Sequence, residues 1–274
     1  MGRIRLVSSD LNGTLVHQHT MKDMIRLYFP DEPERYEKAN SAFKKQTEGH
    51  LSMKEVFAIA GPLTRGITLR QAIMYAINEM RYVNGFKTLI DTLAKANIFF
   101  VINSTGYTIT IEVIRAVYGS DKIYGAICNN LIFGRYGRPE WRISDFELTL
   151  LINEYIWNPE KRREKIYDLV RATGEIELGI ADEHAKAELI FAKAKKLGIE
   201  PDQVAHIGDT MGDSMGLYGV AKKGGLGVAF NYNDALEEFL IKRLEDEYIP
   251  GRIIFIDKKG EDSNLEKVLP YLLA

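Results

Sequence analysis

Cysteine is nearly missing from this chain: Cys128 is the only one among 274 residues, so neither an intramolecular disulfide nor a cysteine metal cluster can form. That suits a reducing compartment, and a cytoplasmic location is expected. An excess of charge is missing as well. Lys and Arg total 36 against 38 Asp and Glu, and the longest basic run is Lys161-Arg162-Arg163. No broad footprint for DNA or RNA phosphates follows, and nucleic acid is not expected as a partner. Long apolar runs are absent too. The stretch Ile98 to Ile102 is far shorter than the roughly 20 residues a membrane helix needs. The amino terminus reaches Ser8-Ser9-Asp10 too soon for a signal peptide. These absences predict a soluble protein with no membrane partner, as a monomer or homodimer.

Hydrophobic residues make up 46% of the chain and charged residues 27%, ordinary globular values. The length suits one large core with a smaller satellite. Ile4 to Val7 reads as a short strand buried on both faces. Similar runs follow at Ile98–Ile102, Val204–Ile207, Leu226–Phe230 and Ile253–Ile256. Between them lie helical patterns at Phe86–Lys95, Ile109–Val117, Lys186–Leu197, Asp234–Leu244 and Leu265–Leu272. Strands alternating with helices predict an α/β fold with a doubly wound parallel sheet.

Two segments break the alternation. Residues 17–83 show helical periodicity and no strand, so they read as a helical insertion, leaving 1–16 and 84–274 as the core. Thr68-Leu69-Arg70-Gln71 looks like a capped helix start. The second interruption, about 129–180, begins with a hairpin candidate at Leu131–Arg138 and continues with helices around Phe146–Tyr155 and Glu160–Ala172.

In an open parallel sheet, ligands collect at the carboxyl ends of the strands. There the sequence puts Asp10-Leu11-Asn12-Gly13-Thr14, then Asn103-Ser104-Thr105-Gly106, then Gly208-Asp209-Thr210-Met211-Gly212-Asp213, with Lys186 at a helix start. Asp10, Asp209 and Asp213 would repel one another when brought close unless a cation intervened. Hard oxygen ligands favour magnesium over zinc or copper. Thr105, the Gly106 amide and Lys186 would then offer donors and charge to a phosphoryl group that Asp10 attacks. Each residue also has a plainer reading. Asp10 can end a strand in a turn, Asp209 and Asp213 can cap a helix, and Lys186 can be solvated. Ser104 competes with Thr105 for the hydroxyl role. His206, inside a strand, reads as a core histidine, and Cys128 as an inert thiol.

The ordered set Asp10, Thr105, Lys186, Asp209 and Asp213 resembles the four motifs of the haloacid dehalogenase superfamily, most of whose members are phosphohydrolases. The resemblance implies a Rossmann-like core with an inserted helical cap at 17–83. It also implies a magnesium ion on Asp10, the Asn12 carbonyl and Asp209, with Asp213 supporting. A small phosphorylated metabolite is the implied substrate, reacting through an aspartyl phosphate on Asp10. The stretches from Gly66 to Phe86, Thr105-Gly106-Tyr107 and Gly225 to Asn231 are similar to the helical-cap branch that includes phosphoserine phosphatase. The glutamate which that branch carries after the nucleophile corresponds to His19, a substrate-side position, and its cap arginine has no counterpart near Ala60.

The family's acid-base aspartate is replaced by Asn12. An amide cannot transfer that proton, and such assistance is typically worth about 10²- to 10⁴-fold in rate. Three readings stay open: a substitution that traps bound substrate, a natural slow site with a relay through His17 or His19, and a phosphate-binding regulator that does not turn over.

Overall fold

The computed structural model describes residues 2–47, 50–259 and 262–274. The chain begins with β1 (Leu6–Ser9), buried at every position. Four helices follow, α1 (Thr20–Tyr28), α2 (Pro33–Thr47), α3 (Met53–Leu63) and α4 (Leu69–Met74), the last continuing as a π-helical turn, Tyr75–Glu79. The chain then alternates through α5 (Phe86–Lys95), β2 (Phe99–Tyr107), α6 (Thr108–Tyr118) and β3 (Gly125–Arg135). After α7 (Asp145–Trp157), α8 (Ile166–Leu169) and β4 (Val170–Glu177), alternation resumes with α9 (Glu183–Lys196) and β5 (Val204–Gly208). It ends with α10 (Ser214–Lys222), β6 (Leu226–Tyr232), α11 (Asp234–Asp246), β7 (Arg252–Lys258) and the short α12 (Leu269–Leu272).

The strands form one sheet in the order β4-β3-β2-β1-β5-β6-β7. Every pairing is parallel except β3 with β4. From β1 the chain winds outward through β2 and β3, then returns to β1's other side through β5. That reversal leaves a crevice at the carboxyl ends of β1 and β5, because their following connections diverge to opposite faces. All five strands expected from apolar runs are present, and helix α5 has the expected ends. No helix among the described residues is long and apolar enough to cross a membrane.

The inserted helices are started by their own side chains. Ser52 with Glu55, and Thr68 with Gln71, form reciprocal capping boxes at α3 and α4. The two links to this helical layer run side by side: the His17 amide donates to the Arg81 carbonyl, and the Val83 amide to the Leu15 carbonyl.

The segment 129–180 departs from expectation. No tight hairpin closes at Leu131–Arg138; β3 starts at Gly125, and its antiparallel partner is β4, beyond α7 and α8. The helix expected over Glu160–Ala172 is a 3₁₀ turn (Lys161–Arg163), α8 and the first residues of β4. The polar Cys128-Asn129-Asn130 stretch hides the first half of β3, and Gly174 interrupts the apolar signal of β4. Tertiary pairing overrides both.

Strand β4 also holds the helical layer. The Gly66 amide donates to the Ala172 carbonyl, and the Ala172 amide to Ile67. A side chain at Gly61 on α3 would stand 2.7 Å from the Gly174 carbonyl oxygen, so only glycine permits this approach. From α4, the Arg70 guanidinium grips both carboxylate oxygens of Asp168, at 2.7 and 2.9 Å, and donates to the Arg162 and Glu164 carbonyls. Replacing Arg70 with Ala removes these bonds together. An Arg70→Ala variant is expected to lose about 1–2 kcal/mol of stability. Urea midpoints with an unchanged slope would register that loss, whereas an unshifted midpoint would refute the role.

Candidate active site

Asp10 and Asp209 each sit one residue beyond the end of their strand, β1 and β5. The parallel register pairs Ser9 with Ile207, and the Asp10 amide donates to the Ile207 carbonyl at 2.9 Å. The two carboxylates therefore arrive together at the crevice. Asp213 joins them from a 3₁₀ turn (Met211–Asp213) that opens α10. Each of the three offers an oxygen within 4.8 Å of the others, and all three are buried.

Two glycines make this closeness sterically feasible. Gly13 has φ +84°, and a Cβ there would fall 2.1 Å from Asp209 Oδ2. A Cβ on Gly208 would stand 2.3 Å from that of Asp213. Thr14 adds a hydroxyl that donates to Asp209 Oδ1 at 3.1 Å, and the Asp209 amide donates to Asp213 Oδ2 at 3.3 Å.

Lys186 enters from α9 and is 2% exposed. Its Nζ donates to Asp10 Oδ1 at 3.1 Å and to Asp213 Oδ1 at 2.5 Å. One ammonium thus faces three carboxylates, and the imbalance shows in their proton affinities. Burial raises the Asp10 pKa, an effect that the nearby Lys186 opposes. Asp209 lies outside the lysine's reach; burial, then the charges of Asp213 and Asp10, hold it well above the usual carboxylate range. Asp213 is buried too, yet Lys186 and then His206 draw it down to about 2. Burial works against the Lys186 ammonium, but Asp10 and Asp213 outweigh it and keep it charged. Surplus negative charge therefore collects at Asp209. A compact set of hard oxygen donors with unbalanced charge fits a divalent cation such as Mg²⁺.

The second strand end supplies donors. Ser104 is fully buried, its hydroxyl lies against Asp10 and lowers that carboxyl's pKa, and its Oγ accepts from the Gly106 amide at 3.1 Å. Thr105 is half-buried, and its carbonyl accepts from Asn129 Nδ2 at 3.1 Å. Of the two candidate hydroxyls, Ser104 is thus the one in contact with Asp10. The register slip of β2 against β3 between Ser104 and Tyr107 alters the simple alternation by which the sequence would orient Thr105.

Asn12 Oδ1 accepts from the Thr20 amide at the start of α1, at 2.9 Å. Its Nδ2 consequently faces the other way, 3.4 Å from where a Cβ on Gly106 would stand. His19 packs on Phe43 with ring centroids 4.4 Å apart, and its Nδ1 is sealed from solvent. Burial, then the Lys22 charge, lowers its pKa to about 3, so the ring is neutral. His17 is exposed. Cys128 is held inert by burial, which pushes its thiol up to about 11.

Three contributors went unassigned in the sequence reading. Thr14 was visible only as the end of a motif. His206 supports the site from below, with Nδ1 3.2 Å from Ser8 Oγ and Nε2 3.5 Å from Asp213 Oδ1. Asn231, at φ +51°, donates to the Gly13 carbonyl at 2.7 Å and steadies the Asp10 loop. A polar residue inside an apolar strand was the available signal for His206.

No family model matches the chain. It is 20% identical over 247 residues to phosphoserine phosphatase of Archaeoglobus fulgidus, a match covering 90% of this chain. The chain spans 58% of the length of that relative. Among solved structures, one described as a phospho-aspartyl intermediate analogue of phosphoserine phosphatase superposes with TM-score 0.66 at 21% identity, covering 99% of this chain and all of that one. A HAD family hydrolase from Salmonella enterica serovar Typhi gives TM-score 0.66 at 16% identity, over 99% of this chain and 72% of that one. At such identities the likeness is one of fold: a Rossmann-like core with an inserted helical cap.

Because Asp209 binds its proton more tightly in the folded chain, lowering the pH through its raised pKa favours folding, and raising it removes that advantage. Relative to an Asp209→Asn variant, the metal-free protein is expected to gain stability as pH falls from about 8 toward the carboxylate range near 4. Thermal melts in chelator should show this, and added Mg²⁺ should stabilise the unsubstituted protein most at the alkaline end. Parallel pH profiles for the two proteins would contradict it.

Proposed function

We propose that the chain is a magnesium-dependent phosphohydrolase acting on a small phosphorylated metabolite, with Asp10 as nucleophile and a slow second half-reaction. The observation that carries this reading is the buried cluster of Asp10, Asp209 and Asp213, two of them bound to Lys186, beside the Ser104 hydroxyl.

In this reading Asp10, Asp209 and the Asn12 carbonyl hold the cation, with Asp213 supporting. The ion supplies positive charge against the substrate's phosphoryl oxygens. Ser104, the Gly106 amide and Lys186 orient the phosphoryl group, taking the part first assigned to Thr105. A carboxylate oxygen of Asp10 forms a bond to phosphorus as the bond from phosphorus to the substrate oxygen breaks. The departing oxygen takes a proton from water, and a second water later attacks the phosphorus of the aspartyl phosphate, breaking the Asp10 oxygen–phosphorus bond, losing its proton to solvent and releasing inorganic phosphate.

Asn12 decides the balance between the two halves. Its Oδ1 is occupied by the Thr20 amide, so the side chain offers only N–H groups toward the reacting atoms. It can donate a hydrogen bond to the leaving oxygen and cannot give up or accept the proton. Release of an activated leaving group tolerates this better than activation of water does. The phosphorylated Asp10 form is therefore expected to accumulate.

Rapid acid quenching after mixing with an aryl phosphate and Mg²⁺, followed by mass spectrometry, would reveal phosphate on Asp10. Asp10→Asn is expected to abolish labelling and turnover. Asn12→Asp is expected to raise turnover by about 10²- to 10⁴-fold and to deplete the label. Neither labelling nor turnover in either form would sink the proposal, and phosphate binding retained by those same proteins would point to a phosphate-binding regulator.

A further inference from the structure

The site leaves one face of the molecule unexplained. Helix α7 buries Leu148, Ile152 and Tyr155. At 3.6 residues per turn its opposite face carries Phe146, Leu150, Asn153 and Trp157 in one stripe. A surface helix ordinarily places polar residues there. Instead Phe146 is 79% exposed, Leu150 49% and Trp157 68%. Beside the amino-terminal end of α7, Tyr136 and Trp141 meet edge to face, with centroids 5.7 Å apart, and line a hollow with Ile143 and Glu147. They too are exposed, by 58% and 47%.

At about 150–250 Å² per aromatic side chain, these five residues present on the order of 600 Å² of mainly apolar surface. That reaches the upper end of the roughly 300–600 Å² typical of the largest patch on a monomer. It also supplies most of the roughly 800 Å² that each partner gives to a stable interface.

The charges at the two ends of α7 select the partner. Asp145, which accepts from Asn130 Nδ2 at 3.0 Å, lies in its first turn, Arg163 stands in the 3₁₀ turn that follows α7, and neither is in a salt bridge among the described residues. Neighbouring charges are already committed: Glu147 to Arg135, Glu140 to Arg138 and Lys161 to Glu164. The Arg162 guanidinium folds back onto the Tyr155 and Ile156 carbonyls. An acid outside any ion pair toward one end and a base outside any ion pair toward the other are self-complementary when two such helices run antiparallel, the arrangement that a two-fold axis through the middle of the helix imposes. An axis between Leu150 and Asn153 sets Phe146 against Trp157 of the partner subunit and carries Asp145 toward Arg163 of the partner subunit.

We propose that this face is a two-fold homodimer interface, with α7 packed antiparallel on α7 of a second copy of the chain. An anionic lipid surface fits less well, because Glu140, Asp145, Glu147 and Glu154 border the stripe. The inference is independent of the catalytic reading.

Sedimentation equilibrium of the full chain tests it. The unsubstituted protein is expected to sediment as a dimer. Trp157→Glu is expected to weaken association about thirtyfold or more, the loss for an interface hot spot, with an unchanged far-ultraviolet circular dichroism spectrum. Should that variant misfold, the charges decide: Asp145→Arg and Arg163→Asp should each weaken the dimer, and the double exchange should restore it. A monomer at every concentration, a dimer indifferent to all these changes, or a monomer that co-sediments with phosphatidylglycerol vesicles through Trp157 would each overturn the proposal.

Discussion

One buried ammonium holds two of three clustered, buried carboxylates in place and leaves the third without a partner cation among the described residues. Removing ions of this kind from water is costly, and their mutual attraction offsets the cost only where geometry and additional hydrogen bonds are good. Lys186 meets that condition for Asp10 and Asp213, with contacts of 3.1 and 2.5 Å. It does not reach Asp209, whose charge burial disfavours and the Thr14 hydroxyl supports. Much else serves that arrangement. The sheet order brings β1 beside β5, Gly13 and Gly208 allow backbone and carboxylate to crowd together, and His206 props Asp213 from within a strand. A stability cost borne near Asp209 in the metal-free chain is the counterpart of its readiness to take a divalent ion.

Asn12 changes the character of such a site without disturbing its frame. Its side-chain Oδ1 accepts from the Thr20 amide, so the first turn of α1 is anchored to the nucleophile loop. A carboxylate at the same place could accept that bond with one oxygen and carry a proton on the other. The amide keeps the structural half of this dual role and loses the chemical half. Geometry and reactivity are thereby separable at a single position.

The core was legible because its signals are local. Continuous apolar runs marked five of the six parallel strands, and Asp, Ser or Gly at their ends marked the crevice, so Asp10, Asp209, Asp213 and Lys186 could be named before their distances were known. What escaped notice was set by partners distant in sequence. Strand β4 has its apolar pattern interrupted at Gly174, and exists through pairing with β3 and contact with residues 66–68. The choice between Ser104 and Thr105 depends on a register slip in β2 that no composition rule registers. His206 looked like core and is core, yet its ring also faces Asp213.

Strand β3 belongs to two layers at once. Its first half pairs with β2 in the core, and its second half pairs with β4 beneath the inserted helices. At the junction Asn129 donates to the Thr105 carbonyl, accepts from the Ile180 amide, and offers its own carbonyl to the Thr108 hydroxyl. With the inserted layer tied to β4 through residues 66, 67 and 172, one continuous strand bears both that layer and the end of β2 holding Thr105, so a substitution that shifts β3 disturbs cap and phosphate-side donors together.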